Sequence, residues 1–467
     1  MKILLPSFFT ENGSQLVAVV LGTLNAISDG MQYGWTAPSI PKLRSPDSPV
    51  SMTHSEEVWL EIFYMVGGFI GLPFSITLID CIGRKKTILF ASVVGMLGWI
   101  SIGIADNVYY LYAGRILLGV TADIAFTASP VYISEIAHQD IRGFLAGLIY
   151  LMMLVGIIII YCIGPWVSIC TSSIVGCSLL LIQLVLFPFM PESPYYLLYI
   201  NENERAEKVL KFLRNNDNIS KEIEEIKAAI VRQKSEKGRP QDLFQIKSNR
   251  KACLIMILLN YTQHFAGVSA LLMNLHTILN QAGSEVISPD IAAIVFPSLM
   301  LISATVATLT VDYCGRKILL LVSGVVTTVT LLTIGAFFQL KSMGFPTGDY
   351  SWIIFVAVMF YAVGIKFGLA IVPIVMTAEL FPAKVKGMGM ALADFIYILS
   401  SMTSVYLYQW INFNYDLSVS FFVFSFLCAL STGLIQLYVP ETKGRTLEEI
   451  QMILKNVKGE VLHDTRL

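Results

Sequence analysis

Asp80-Cys-Ile-Gly-Arg-Lys85 recurs later in the chain as Asp312-Tyr-Cys-Gly-Arg-Lys317, and each copy stands between two long apolar segments. Two further pairs of motifs follow in the same order: Glu135 with Arg142-Gly143 is matched by Glu379 with Lys386-Gly387, and Pro191-Glu-Ser193 by Pro440-Glu-Thr442. The separation between partners changes only slowly along the chain, as loops of different length would cause. These repeats predict that the chain is a duplicated unit.

The composition predicts a membrane protein. Of the 467 residues, 55% are hydrophobic and 14% are charged, and the mean hydropathy is +0.68. Such a chain exposes too much apolar surface to be a soluble multidomain protein. Because a spanning helix needs about 20 mostly apolar residues, we predict an all-α membrane protein with twelve transmembrane helices. They are expected at 16–40, 58–79, 87–106, 109–133, 143–163, 167–189, 252–279, 290–311, 317–340, 351–379, 387–410 and 417–439.

A hydrophilic segment separates these runs into two sets of six. We predict an N-terminal six-helix bundle over 1–189, cytoplasmic linker helices over 190–251, a C-terminal six-helix bundle over 252–440 and a cytoplasmic tail over 441–467. Apolar residues recur at helical spacing among the charges of the linker, which predicts amphipathic surface helices there.

Lysine and arginine in the short loops predict the orientation. The loops after spans two, four, eight and ten hold most of these residues, whereas the opposite face has only Lys42, Arg44 and Lys341. We therefore expect both termini in the cytoplasm, in a multi-pass protein of the plasma membrane.

The repeated charges predict a latch at the cytoplasmic helix ends. Partly dehydrated acid–base pairs attract more strongly than exposed pairs, which contribute about 0–1 kcal/mol. A membrane carrier that rocks one half against the other needs contacts that form in one state and break in the other. The alternative is that the charges only anchor helix ends. The predicted latch residues are Asp80, Arg84, Lys85, Glu135, Arg142, Glu192, Asp312, Arg316, Lys317, Glu379, Lys386 and Glu441.

Nearly the whole chain carries an ordered set of motifs: Asp80 to Lys85, Gly114-Arg115, Pro130 to Gly143, Pro191 to Pro194, Asp312 to Lys317, and Pro440 to Arg445. This order resembles that of the sugar porters of the major facilitator superfamily. Gly34-Trp-Thr-Ala-Pro38 and the stretch from Glu379 to Gly387 are similar to the insect facilitated trehalose transporters. The resemblance implies two pseudo-symmetric six-helix bundles, a sugar site and alternating access. Facilitated diffusion of trehalose or a hexose is the expected function.

The seventh span is the expected centre of the sugar site. Asn260, Gln263, Gly267 and Asn274 recur at helical spacing and would share one face of a continuous helix. Amide and hydroxyl groups near mid-membrane suit a sugar, although Gln263 could instead bond a neighbouring helix. The substrate-binding residues predicted from this face and from the resemblance are Gln263, His264, Ser269, Asn274, Tyr150 and Tyr397.

Two alternatives to facilitated diffusion stay open. Charges inside spans are costly and usually have partners or uses, and Asp29 with Arg115 could carry a proton, as the resemblance to proton-coupled porters implies. His264, Ser269, Tyr150 and Tyr397 depart from the residues usual in the family, so a sugar sensor that binds without transport is the other alternative.

The sequence predicts neither an enzyme nor a cofactor. Spacings typical of a Ser-His-Asp site, a phosphate loop or a metal site do not occur in it. The formal net charge of −1 predicts no nucleic-acid partner. The expected partners are a sugar and the lipid bilayer, with a monomer as the functional state.

Overall fold

The computed structural model describes residues 13–46, 48, 50–138, 141–215, 219–235, 239–283, 288–382, 384–445 and 447–455. Side chains 143, 144, 232–235, 312, 378, 447 and 448 lie outside this description. Within it, all regular secondary structure is helical, as the apolar runs predict.

In the described part of the chain, ten α-helices begin before the chain midpoint, and they include most of the predicted linker helices. Their bounds are α1 Gly13–Gly22, α2 Leu24–Leu43, α3 His54–Ile82, α4 Arg84–Gly103, α5 Val108–Ile136, α6 Arg142–Ile163, α7 Ile169–Leu186, α8 Pro194–Tyr199, α9 Asn203–Arg214 and α10 Ser220–Ser235. Polar caps begin several of them: Thr53 and Glu56 form a capping box before α3, and Ser168 caps α7.

The remaining helices follow in the same pattern of long spans joined by short turns. Their bounds are α11 Asp242–Gln245, α12 Lys247–Phe265, α13 Val268–Ala282, α14 Pro289–Cys314, α15 Arg316–Ser342, α16 Trp352–Phe367, α17 Val372–Leu380, α18 Lys386–Asn414, α19 Leu417–Tyr438 and α20 Leu447–Lys455. The seventh and tenth predicted spans are each divided between two helices, α12 with α13 and α16 with α17.

Eleven helical stretches in the described part of the chain are long and apolar enough to cross a membrane. The first predicted span, 16–40, is not among them because its helix is interrupted at Thr23 and α2 is rich in polar residues. That helix is nonetheless buried along nearly its whole length, so its polar groups face protein rather than lipid.

The chain packs into two units. Unit 1 takes the described residues up to Ser235 together with Leu272–Gln281 and Pro289–Leu301. Unit 2 takes those of Glu236–Leu271, Ala282–Ser288 and Ile302–Leu467. Of the helices within the predicted linker, α8, α9 and α10 therefore belong to unit 1 and α11 belongs to unit 2. The domain boundaries drawn from the sequence stay a prediction.

Small residues let the helices of unit 1 approach closely. A Cβ added at Gly119 of α5 would overlap the carbonyl oxygen of Tyr64 in α3, and one at Gly30 of α2 would overlap that of Met153 in α6. Glycines at such crossings allow backbone contact, which matters because association in lipid depends on packing and not on apolar burial from water. These crossings position the polar residues of α2, α3 and α5 beside one another.

Polar contacts attach the linker helices α9 and α10 to the other helices of unit 1. The Gln15 amide donates to the carbonyl of Leu213 (3.0 Å) and accepts from the backbone N–H of His138 (2.9 Å). Arg214 donates to the carbonyl of Ile136 at 2.8 Å and pairs with Glu222 at 2.7 Å. The end of α9 is thereby joined to the end of α5.

Candidate functional site

The N-terminal charge cluster consists of Arg84, Glu135, Glu192 and Ser193. Arg84 at the start of α4 donates to Glu135 near the end of α5 at 2.9 Å, and the Ser193 hydroxyl donates to the other oxygen of Glu135. Glu192 accepts from the backbone N–H groups of Lys85 (3.1 Å) and Ser193 (2.9 Å). Two acids from different motifs thus hold the turn between α3 and α4.

The C-terminal charge cluster, formed by Arg316, Glu379, Glu441 and Thr442, repeats this arrangement in unit 2. Arg316 donates to Glu379 at 2.8 Å, and the Thr442 hydroxyl donates to the second oxygen of Glu379 at 2.6 Å. Glu441 accepts four backbone N–H groups at 2.9–3.0 Å, two of them from Arg316 and Lys317. Burial alone raises the pKa of Glu441, but these donors outweigh it and hold that pKa below its ordinary value.

Glycine is required at the centre of both clusters. Gly83 has φ +94° and Gly315 has φ +90°, a region that residues with a Cβ rarely adopt. A Cβ would also lie 2.6 Å from an oxygen of Glu192 in the first case and 2.9 Å from one of Glu441 in the second. The repeated glycine therefore lets a carboxylate approach the first N–H groups of the next helix.

In the two clusters, Glu135 and Glu379 have partners that the sequence alone did not identify. Ser193 and Thr442 were missed as donors, although they follow Glu192 and Glu441 in the repeated triplets. Among the described residues of each cluster, the ion pair joins two elements of the same unit. The predicted latch between the two halves therefore stays a prediction.

The other predicted latch residues make weaker contacts. Asp80 is 3.6 Å from Arg84 with its side chain 69% exposed, and Lys85 donates to the carbonyl of Pro188. Among the described residues, Arg142 reaches only the carbonyl of Ala137, at 3.4 Å. Lys317 donates to the carbonyl of Gln436. Lys386 makes no ion pair in the described part of the chain. The side chain of Asp312 lies outside the description.

The seventh span is not the continuous helix that the sequence predicted. Gly267 has a φ of +83°. At the end of α12, the backbone N–H of Ala266 donates to the carbonyl of Thr262, and that of Gly267 donates to the carbonyl of His264. The Tyr361 hydroxyl donates to the carbonyl of Ala266 at 2.7 Å. The interruption is thus held by a side chain of α16.

Most of the predicted substrate residues of unit 2 lie together at this interruption. His264 Nδ1 lies 2.9 Å from the hydroxyl of Ser269, which lies 2.9 Å from that of Ser401. The Tyr397 ring packs edge-on against His264 with 4.4 Å between centroids. Gln263 is 4% exposed, and neither its Oε1 nor Nε2 of His264 has a hydrogen-bond partner in the described part of the chain.

The remaining predicted substrate residues belong to unit 1. Asn274 is buried in α13, and Tyr150 is half-buried in α6.

Asn260 donates to the carbonyl of Met256 one turn earlier in its own helix (3.1 Å). Sequence analysis missed Ser401 and Ser404, the second of which donates to the carbonyl of His264 at 2.7 Å.

Asp29 and Arg115 are both buried in unit 1 and are linked through Tyr64. The Tyr64 hydroxyl donates to Asp29, and the Arg115 guanidinium lies 4.6 Å from the centroid of the Tyr64 ring. Arg115 also donates to the backbone carbonyl of Gln32 at 2.6 Å and to its side-chain oxygen at 2.9 Å. An acid and a cation thus share one aromatic residue inside the bundle.

A family model described as "Sugar (and other) transporter" matches residues 15–454, which is almost the entire chain. The chain belongs to this family. This sugar transporter is 29% identical to the facilitated trehalose transporter Tret1 of Bombyx mori over 448 residues, which cover 94% of the chain and 87% of that relative. It is also 29% identical over 463 residues to the mouse (Mus musculus) solute carrier family 2, facilitated glucose transporter member 6, covering 94% and 91%.

A solved structure of the xylose transporter XylE from E. coli, in an inward open conformation, is similar in fold to this sugar transporter. The TM-score is 0.78 at 20% identity, covering 94% of this chain and 99% of that one. The fold is therefore the predicted all-α arrangement of the major facilitator superfamily with twelve membrane-spanning helices. The protein is a multi-pass membrane transporter of sugar and not an enzyme, as the sequence predicted.

Proposed function

We propose that this transporter moves trehalose or a hexose by facilitated diffusion and alternating access. The observation that carries the proposal is the polar cluster at the interruption between α12 and α13. There Gln263 and His264 keep buried polar atoms without partners, and unsatisfied buried groups cost free energy unless a ligand or water pairs with them. Curated relatives named for trehalose and glucose transport support this substrate class.

Within this proposal, the substrate-binding residues predicted from the sequence are the ligands of the sugar. Gln263, His264, Ser269 and Tyr397 come from unit 2, and Tyr150 and Asn274 come from unit 1. Hydroxyl, amide and imidazole groups match the alternating donors and acceptors of sugar hydroxyls. The Tyr397 ring supplies an apolar face for the sugar ring.

The proposal places the transporter as a monomer in the plasma membrane with both termini in the cytoplasm. The lysine and arginine of the loops that carry the two charge clusters support this orientation. The bundles at 1–189 and 252–440, the linker at 190–251 and the tail at 441–467 are the domains we assign. The charge clusters are the proposed state-dependent contacts at the cytoplasmic face.

Uptake of labelled mono- and disaccharides into cells that express the chain tests the proposal. We expect trehalose or a hexose to enter, and we expect Gln263→Ala to raise its KM because an amide ligand is lost. Gln183→Ala is the matched control: that buried amide accepts from Ser92 at 2.8 Å and donates to Leu21 at 2.9 Å, so both of its polar atoms already have internal partners. Sugar binding without counterflow in vesicles would instead indicate a sensor.

Proton-coupled symport is the second candidate, because the buried group of Asp29, Tyr64 and Arg115 contains a carboxyl that could carry a proton. In that case, the wild type accumulates sugar when a proton gradient is imposed, and Asp29→Asn does not. Asp123→Asn is the control, since this acid in α5 accepts from Ser75 at 2.8 Å. Uptake that never exceeds equilibrium in the wild type supports facilitated diffusion.

A further inference from the structure

Two tryptophans of unit 1 are fully buried and differ in one respect. The Trp99 indole N–H donates to the hydroxyl of Ser28 at 2.8 Å. The Trp35 indole N–H has no hydrogen-bond partner among the residues that the structure describes, although Trp35 is equally inaccessible. Buried tryptophan N–H groups usually find an acceptor, so Trp35 is the exception that needs a physical reason.

Trp35 is one of three residues in α2 that leave polar side-chain atoms unpaired. Asn25 and Gln32 are the others, and all three are 0% exposed. Other polar residues of the helix are satisfied: Ser28 accepts from Trp99, and Thr36 donates to the carbonyl of Met273 at 3.1 Å. The unpaired groups therefore do not reflect a general shortage of partners along this helix.

Gln32 and Trp35 belong to one group with Arg115. The side-chain oxygen of Gln32 is held by Arg115 at 2.9 Å, which leaves the Gln32 Nε2 donor unpaired with its orientation fixed. The Arg115 guanidinium lies 5.9 Å from the centroid of the Trp35 ring, and its Nη2 is also unpaired. Three buried N–H donors without an acceptor among the described residues thus occur together, and the chemistry they lack is that of oxygen acceptors.

We infer that Trp35 Nε1 and Gln32 Nε2 donate hydrogen bonds to hydroxyl oxygens of the transported sugar. The inference rests on the proposed function, because it names contacts to that same solute. A sugar supplies several oxygen acceptors on a rigid ring, so one molecule can satisfy both donors at once. The first span then contributes to sugar specificity through α2, which the sequence analysis did not predict.

Equilibrium binding of labelled D-glucose and trehalose to the purified full chain tests this assignment, with deoxyglucoses as competitors. Trp35→Phe removes the N–H and keeps an aromatic ring. We expect it to weaken sugar binding about tenfold, the effect of one hydrogen bond. We also expect one deoxyglucose, which the wild type binds more weakly than glucose, to bind the variant as well as glucose does.

Trp99→Phe is the matched control, because it removes an N–H that already has an internal partner. It should lower thermal stability and leave the ranking of the deoxyglucoses unchanged. Gln32→Glu is the second test variant, since it keeps the oxygen that Arg115 holds and replaces the N–H donor by a second acceptor oxygen. It keeps the inference testable if Trp35→Phe does not fold.

The outcomes separate the inference from the proposed function. A wild type that binds neither sugar contradicts the function itself. Normal wild-type binding, with the full deoxyglucose ranking retained in Trp35→Phe or in Gln32→Glu, overturns the inference alone and assigns a buried water to these donors. Equal weakening of every sugar also overturns it, because a structural role lowers all affinities together.

Discussion

Replacing Glu379 by glutamine tests how the C-terminal charge cluster is held together. Glu379 accepts from Arg316 and Thr442, and the side chains of Arg316 and Glu379 are 9% and 23% exposed. Removing one partner of a fully buried pair costs about 3–5 kcal/mol. Because Glu379 is partly exposed and glutamine keeps one acceptor oxygen, we expect a loss of about 2 kcal/mol in the free energy of unfolding.

Double-mutant cycles separate contacts within a unit from contacts between halves. The cycle of Arg316→Gln with Glu379→Gln should give a coupling of about 1–3 kcal/mol, because the two side chains are in direct contact. The cycle of Glu135→Gln with Glu379→Gln should give less than about 0.5 kcal/mol, because the described partners of each acid belong to its own unit.

Unfolding in mixed micelles of dodecyl maltoside and sodium dodecyl sulfate provides the measurement. Matched variants of Glu192 control for the general loss of a carboxylate. The Glu192 carboxylate accepts from the backbone N–H groups of Lys85 and Ser193. A coupling above about 1 kcal/mol between Glu135 and Glu379 would refute the reasoning. It would show that the two clusters stabilise the fold as one network.

Gly315→Ala should lower stability by about 1–3 kcal/mol in the same assay, because φ is +90° and the new Cβ would lie 2.9 Å from Glu441; Gly387→Ala, with no heavy atom within 4 Å, should be nearly neutral. The lowered pKa of Glu441 stabilises the fold above its unfolded-state pKa, and this contribution should disappear as the pH falls through the lower folded value. A pH series of melting temperatures in which the wild type and Glu441→Gln fall in parallel would contradict this. Arg214→Ala removes the 2.8 Å bond to Ile136 and should make the linker more sensitive to limited proteolysis, with intact protection as the contrary result.

Much of this architecture could be predicted from the chain alone. The repeated motifs and the apolar runs encode spans, turns and the need for Gly83 and Gly315, because each depends on a few neighbouring residues. The partner of Glu135 could not be predicted in this way. Arg142 is nearer in the chain, but packing of α4 against α5 brings Arg84 to the carboxylate.

At the candidate site, too, the sequence predicts local features, whereas packing of the helices decides which groups meet. Spacing predicted that Gln263 and His264 matter, yet it predicted one continuous helix where Gly267 interrupts the span. The unpaired N–H of Trp35 beside the satisfied N–H of Trp99 has no signature in the sequence. Local order follows from adjacent residues, whereas a hydrogen-bond partner on another helix exists only after the helices have packed.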